Sequence, residues 1–215
     1  MNLQTISRVV LVDEIMSWVR CFPCIKKLKC LSCKNGLESL TFLETLKWLK
    51  PCKFGIRLPA SLKKLTLVGC NLLWSDMSLL QLLPKLEVLK LLKYAFVGHR
   101  WETGEKPFPQ LKFFKLQLSN IRQWKASSIN FPCLRRLVLA ECEDLEEIPL
   151  ELGDISTLEV IEIDDSSSSV VESLDRIREE QHNEGNYELE LKINVRKNQR
   201  PGFKRDFTWK TCIWP

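Results

Sequence analysis

Histidine is almost missing from this chain: 215 residues contain only His99 and His182. That scarcity excludes a paired-histidine metal motif, and no Gly-x-Ser-x-Gly elbow supplies a serine nucleophile. The carboxylates are scattered, so the expectation is a protein that is not an enzyme. Glycine is sparse as well, with eight residues, and none lies in a G-x-x-x-x-G-K-[ST] phosphate-binding loop. No apolar window reaches the about 20 residues of a membrane span. Val9–Val12 is followed at once by Asp13 and Glu14, which excludes a secretory signal. No Asn-x-Ser/Thr sequon occurs, and the nine cysteines cannot all pair. Together these features predict a cytoplasmic, reducing setting with free thiols and no bound cofactor. The net charge of +5, from 32 basic and 27 acidic residues, is mild.

Leucine, by contrast, is abundant, at 36 residues. It is also periodic. A Pro-containing turn followed by L-x-x-L-x-L recurs at Pro23–Cys30, Pro59–Leu67, Pro84–Leu91, Pro109–Leu116 and Pro132–Leu139. Copies without proline begin at Leu43 and Leu158, and a partial one at Leu3. The first anchors fall at 3, 25, 43, 62, 86, 111, 134 and 158, in steps of 22, 18, 19, 24, 25, 23 and 24. The period of a leucine-rich repeat is about 20 to 29 residues.

Within each copy the last anchors alternate with polar residues, as in a strand with one buried face. One such unit cannot bury its apolar edge, whereas stacked neighbours make a parallel sheet over a continuous core. The predicted fold is α/β: a curved leucine-rich-repeat solenoid with its sheet on the concave face and short helices and loops on the convex face. Ser75–Leu83 reads as a short convex helix, capped by Ser75 or Asp76 and ended by Pro84. Gly98–Pro109 reads as loop. Residues 1–165 form the seven to eight repeats. Residues 166–195 form a C-terminal cap: a polar loop at Ser166–Ser169, an amphipathic helix over 170–181, and a strand alternating at Tyr187, Leu189, Leu191, Ile193 and Val195. Residues 196–215 form a basic tail with Trp209 and Trp214, predicted to be poorly ordered. Leu3 and Ile6 are expected at an open end of the core.

Four stretches carry a family resemblance. They are Pro59-Ala60-Ser61-Leu62-Lys63-Lys64-Leu65-Thr66-Leu67, Trp74–Leu79, Leu86–Lys93 and the run Leu145–Leu158, which joins C-x-x-L-x-x-I-P to G-x-I-x-x-L. Over about residues 1–195 the chain resembles the C-terminal leucine-rich repeats of plant nucleotide-binding, leucine-rich-repeat disease-resistance proteins, of the late blight resistance homologue type of nightshade plants. The resemblance implies a recognition and autoregulatory module of an intracellular immune receptor. It would bind a pathogen effector, a host protein, or the receptor's own nucleotide-binding domain. ATP or ADP would belong to that domain, whose phosphate-binding loop this chain lacks. The tail from Arg196 departs from the family's usual ending. Alternatives are the substrate-receptor repeats of a ubiquitin-ligase adaptor, whose F-box-like segment is not seen here, and an inactive truncated gene product.

Two patterns suggest zinc. Cys21-x-x-Cys24 and Cys30-x-x-Cys33 form a double C-x-x-C. The repeat register gives a simpler reading. Cys33, Cys70 and Cys142 each stand eight residues after an anchor, at the inner turn of the repeat, Cys24 matches Cys133, and no metal is expected. Thr103–Pro107 matches the linker of tandem zinc fingers but lacks the flanking Cys and His ligands.

The strongest functional pattern is charge. Positions one, two and four after each anchor face solvent, and across six repeats they hold eleven basic residues against Glu44 and Glu87. The basic ones are Lys26, Lys27, Lys29, Lys47, Lys63, Lys64, Lys90, Lys112, Lys115, Arg135 and Arg136. They are expected to form a continuous stripe for a protein partner with an acidic surface, turning acidic at Glu159 and Glu162. The plainer reading is that lysine keeps an exposed sheet soluble. Nucleic acid is disfavoured, because Phe113 is the only aromatic residue in the stripe.

Overall fold

The computed structural model describes residues 4–10, 24–31, 58–183, 185 and 189–194. Its core element is one parallel sheet of eight strands whose spatial order is their chain order. The strands are β1 (Thr5–Val10), β2 (Lys27–Leu31), β3 (Lys64–Val68), β5 (Val88–Leu92), β8 (Phe113–Gln117), β10 (Arg136–Ala140), β11 (Val160–Asp164) and β12 (Glu190–Asn194). Cα partners run Thr5, Lys27, Lys64, Val88, Phe113, Arg136, Val160 and Glu190 across it. This is the register of the anchors at 3, 25, 62, 86, 111, 134 and 158. The fold class is therefore α/β with a parallel sheet.

The alternation of the sequence decides the faces. Leu65 and Leu67, Leu89 and Leu91, Phe114 and Leu116, Leu137 and Leu139, and Ile161 and Ile163 are buried on one side. Burying each such side chain contributes about 1.5–3 kcal/mol before entropy is counted. The anchor is held by the turn before it. The N–H groups of Leu86, Leu111 and Leu134 donate to the carbonyls of Leu83, Phe108 and Phe131 at 3.3, 3.3 and 3.1 Å. Proline stands at the second position of each turn, where its fixed φ is already correct.

Five of the strands end in the same way. Gly69, Lys93, Leu118, Glu141 and Asp165 follow β3, β5, β8, β10 and β11, all with φ between 51° and 64°. Each donates its N–H one strand across, to Leu92, Gln117, Ala140, Asp164 and Asn194 respectively, at 2.8–3.0 Å. Side chains rarely adopt this conformation; here the continuing ladder enforces it.

The return segments carry two small parallel pairs. β4 (Leu72–Leu73) pairs with β6 (Phe96–Val97), and β7 (Arg100–Glu102) with β9 (Gln123–Lys125). Beneath them Trp101 stacks between Trp74 and Trp124, at centroid distances of 4.9 and 5.1 Å, and Phe108 stacks on Phe131 at 5.6 Å. α1 (Met77–Leu80) and α2 (Ser168–Asn183) are the helices among the described residues. α2 buries Val170, Ser173, Leu174, Ile177 and Gln181 at helical spacing. Ser173 Oγ accepts from Ile148 N–H at 3.0 Å and donates to the Val170 carbonyl at 2.8 Å.

Several expectations need correction. β2 bonds directly to β3; the repeat expected at Leu43–Trp48 lies outside the described residues. The Ser75–Leu83 helix is shorter: a 3-10 turn at Trp74–Asp76, then a single α-turn. Asp76 stands at the N-cap of the α-turn, as expected, but its side chain makes no capping hydrogen bond and its Oδ2 is buried without a hydrogen-bond partner. Gly98–Pro109 is not all loop, because β7 finds a partner in β9 that only the neighbouring repeat supplies. α2 starts at Ser168, shortening the predicted polar loop, and Val171 is only half-buried. β12 is mostly exposed, with Ile193 36% accessible. Tyr187, Val195 and the tail 196–215 lie outside the described residues.

Candidate functional site

In β2, β3, β5, β8 and β11 alternate residues are buried and the others form an opposite face in rows that run across the sheet; in β10 Val138 and Ala140 of that face are buried as well. The first row, one residue after each anchor, is Gln4, Lys26, Lys63, Glu87, Lys112, Arg135 and Glu159, knitted by backbone hydrogen bonds of 2.8–2.9 Å. The second holds Lys27, Lys64, Val88, Phe113, Arg136 and Val160. The third is Lys29, Thr66, Lys90, Lys115, Val138 and Glu162, and the fourth Leu31, Val68, Leu92, Gln117, Ala140 and Asp164. All the expected basic residues that are described fall on this face. Lys47, and with it Cys33 of the turn cysteines, lies outside the described residues.

The stripe is not continuously basic, which corrects the sequence expectation. Lys63 Nζ lies 2.7 Å from one Glu87 oxygen and Lys112 Nζ lies 3.9 Å from the other. Arg135 meets Glu159 at 2.9 Å, and Arg136 pairs with Glu162. The hydrogen bond from Lys63 holds the Glu87 carboxyl below its usual range, aided by the charges of Lys112, Lys63 and Lys64. Exposed pairs of this kind stabilise little, about 0–1 kcal/mol. Their main effect here is to cancel charge.

Lys27, Lys29, Lys64, Lys90 and Lys115 have no carboxylate partner among the described residues. Lys90 sits at the centre of this group with its ammonium 5.4 Å from the Phe113 ring centroid. Its acidity is raised, so its pKa lies below the usual lysine value; partial burial is the main cause, followed by repulsion from Lys115, Lys64 and Lys29. The half-buried Leu31, Val68 and Leu92 of the fourth row flank the lysines and escaped the sequence reading. Extending the alternation to the sixth position after each anchor would have found them.

Of the turn cysteines, Cys70 and Cys142 are buried. Cys70 Sγ donates to the Val68 carbonyl at 3.6 Å and Cys142 Sγ to the Ala140 carbonyl at 3.5 Å. Burial pushes both thiols up to about 12. Cys30 is buried in β2 and Cys24 is exposed, and no cluster of three or more potential ligands for a metal occurs among the described residues. Nor is any described helix long and apolar enough to cross a membrane.

No family model matches the chain. Curated proteins do. A late blight resistance protein homologue of Solanum demissum is 37% identical over 196 residues, covering 84% of this chain and 17% of its own length. A second from the same plant is 39% identical over 165 residues, 72% of this chain and 13% of that protein. A third is 46% identical over 100 residues, 46% of this chain and 7% of that protein. The chain thus spans 17% or less of the length of these relatives. Conserved identity at this level over most of the chain reflects common descent, and the chain belongs to the family of the late blight resistance protein homologues of nightshade plants.

Proposed function

We propose that this chain is a leucine-rich-repeat solenoid serving as a protein-recognition module of a plant disease-resistance receptor, acting in the cytoplasm without catalysis. The sheet's open face would be its concave surface. The observation that carries the reading is the set of five lysines on that face, Lys27, Lys29, Lys64, Lys90 and Lys115, left without carboxylate partners among the described residues. Unneutralised charge on a rigid sheet steers and orients an acidic partner. The names of the relatives support the setting in disease resistance. The acidic partner is a pathogen effector, a host protein, or the nucleotide-binding domain of a full-length receptor.

The structure narrows which substitutions test this. Lys63 and Lys112 share Glu87, so reversing them also disturbs an internal pair. Lys29→Glu, Lys64→Glu, Lys90→Glu and Lys115→Glu together reverse free charge only. The combined variant should keep the far-ultraviolet circular dichroism of the parent. It should lose the acidic proteins that the parent captures from infected leaf extract. Retention of the same proteins by the variant would sink the reading.

A further inference from the structure

Lys29, Thr66, Lys90 and Lys115 are successive Cα partners in the third row of the open face. Lys64 stands two residues before Thr66 on the same face of β3. At about 4.8 Å per strand, the Cα positions of these four lysines span about 15 Å, with Thr66 among them. The row is closed on its far side by the buried Val138, and on that same strand Arg136 is paired with Glu162 of β11. Apolar side chains border it above and below: Val88 and Phe113 in one row, Val68 and Leu92 in the other.

We infer that this lysine quartet is a seat for a phosphate monoester carried by a partner peptide, a phosphoserine or phosphothreonine with apolar flanking residues. This rests on the reading of the open face as a partner-contact surface. A phosphate monoester brings about −1.5 to −2 charges and three acceptor oxygens on one group. It can therefore take donors from Lys64, Lys90 and Thr66 at once, where a single carboxylate offers one charge. The flanking residues of an extended peptide would lie against Val68 and Leu92 on one side and Val88 on the other. Nucleic acid also carries phosphate, but its bases need open aromatic faces, and Lys90 already covers Phe113. An incoming anion offsets the repulsion that Lys115, Lys64 and Lys29 exert on Lys90. Anion binding therefore favours the charged amine.

The test is fluorescence anisotropy on the whole chain with a labelled Ala-Val-phosphoserine-Val-Ala peptide and its serine and glutamate counterparts. The phosphopeptide should saturate with an affinity about tenfold or more above the glutamate peptide, and the serine peptide should not bind. Lys64→Gln with Lys90→Gln should lower the affinity about tenfold or more, and Lys115→Gln alone should lower it measurably. Lys63→Gln with Lys112→Gln should change it less than about twofold, since those side chains are held by Glu87. Equal affinity for the phosphoserine and glutamate peptides overturns the phosphate seat, and so does equal loss in the two double variants. Displacement of the peptide by a homopolymeric single-stranded oligonucleotide at comparable concentration overturns its assignment to a peptide. Either failure leaves the acidic-partner reading standing; that reading fails separately, if the fourfold Lys→Glu variant still captures its leaf proteins.

Discussion

Cys70 and Cys142 do at residue scale what asparagine or serine can do in the same turn: each gives its hydrogen to the carbonyl two residues before it and closes the end of a strand. Ser119 occupies the equivalent position, where its hydroxyl accepts from the Ile121 N–H at 3.3 Å. With thiol pKa values near 12, about one molecule in ten thousand carries a thiolate at pH 8, and the thiolate is the reacting form. Iodoacetamide at pH 8 should thus alkylate the exposed Cys24 within minutes and leave Cys70 and Cys142 unmodified until denaturant is added. Peptide mass spectrometry reads this directly, and rapid alkylation of Cys70 or Cys142 in the folded chain would contradict the placement. The repeat register of the sequence already assigned these cysteines to a turn. Their burial was not legible there, because it depends on the return segments of neighbouring repeats packing over them.

At the scale of elements, the return segments are held by aromatic stacking more than by helix. Trp74, Trp101 and Trp124 come from three successive repeats and form one stack. Gly98 is the joint that allows it. Its φ is 123°, its carbonyl accepts from the Trp74 indole N–H at 3.0 Å, and a Cβ there would lie 3.2 Å from Trp74 Cδ1. Gly98→Ala combines backbone strain with a clash, and should cost about 1–3 kcal/mol. Trp101→Ala, which empties a fully buried site between two rings, should cost about 3–5 kcal/mol. Urea unfolding checks both, and a Gly98→Ala chain as stable as the parent would refute the strain argument. Sequence reasoning saw glycine and proline here and expected loop, since a two- or three-residue strand has no periodicity of its own to detect.

For the whole molecule, each strand is secured by its neighbours, so position along the sheet should set local stability. β8 and β10 lie inside, flanked on both sides and backed by the stacked rings of Phe114 and Phe131. β12 ends the described sheet, with Leu191 half-buried and Ile193 exposed. Local opening of a terminal unit requires breaking one interface where an internal unit requires two. Amide hydrogens of β12 should exchange about a hundredfold or more faster than those of β8. Equal protection of the two strands in a mass-spectrometric exchange experiment would show instead that the sheet opens only as a unit.

The sequence by itself determined the parallel α/β architecture, the register of seven anchors, the buried alternation of β2, β3, β5, β8 and β11, the amphipathic helix and the face on which the lysines stand. All of these follow from periodicity within one segment, which needs no knowledge of what lies beside it. Only the tertiary structure decided that β2 adjoins β3, that Glu87 quenches Lys63 and Lys112, and that Arg135 and Arg136 are taken by Glu159 and Glu162. An ion pair across strands depends on which residue of another repeat stands about 4.8 Å away. The register that sets those pairings also leaves Lys29, Lys64, Lys90 and Lys115 without carboxylate partners among the described residues.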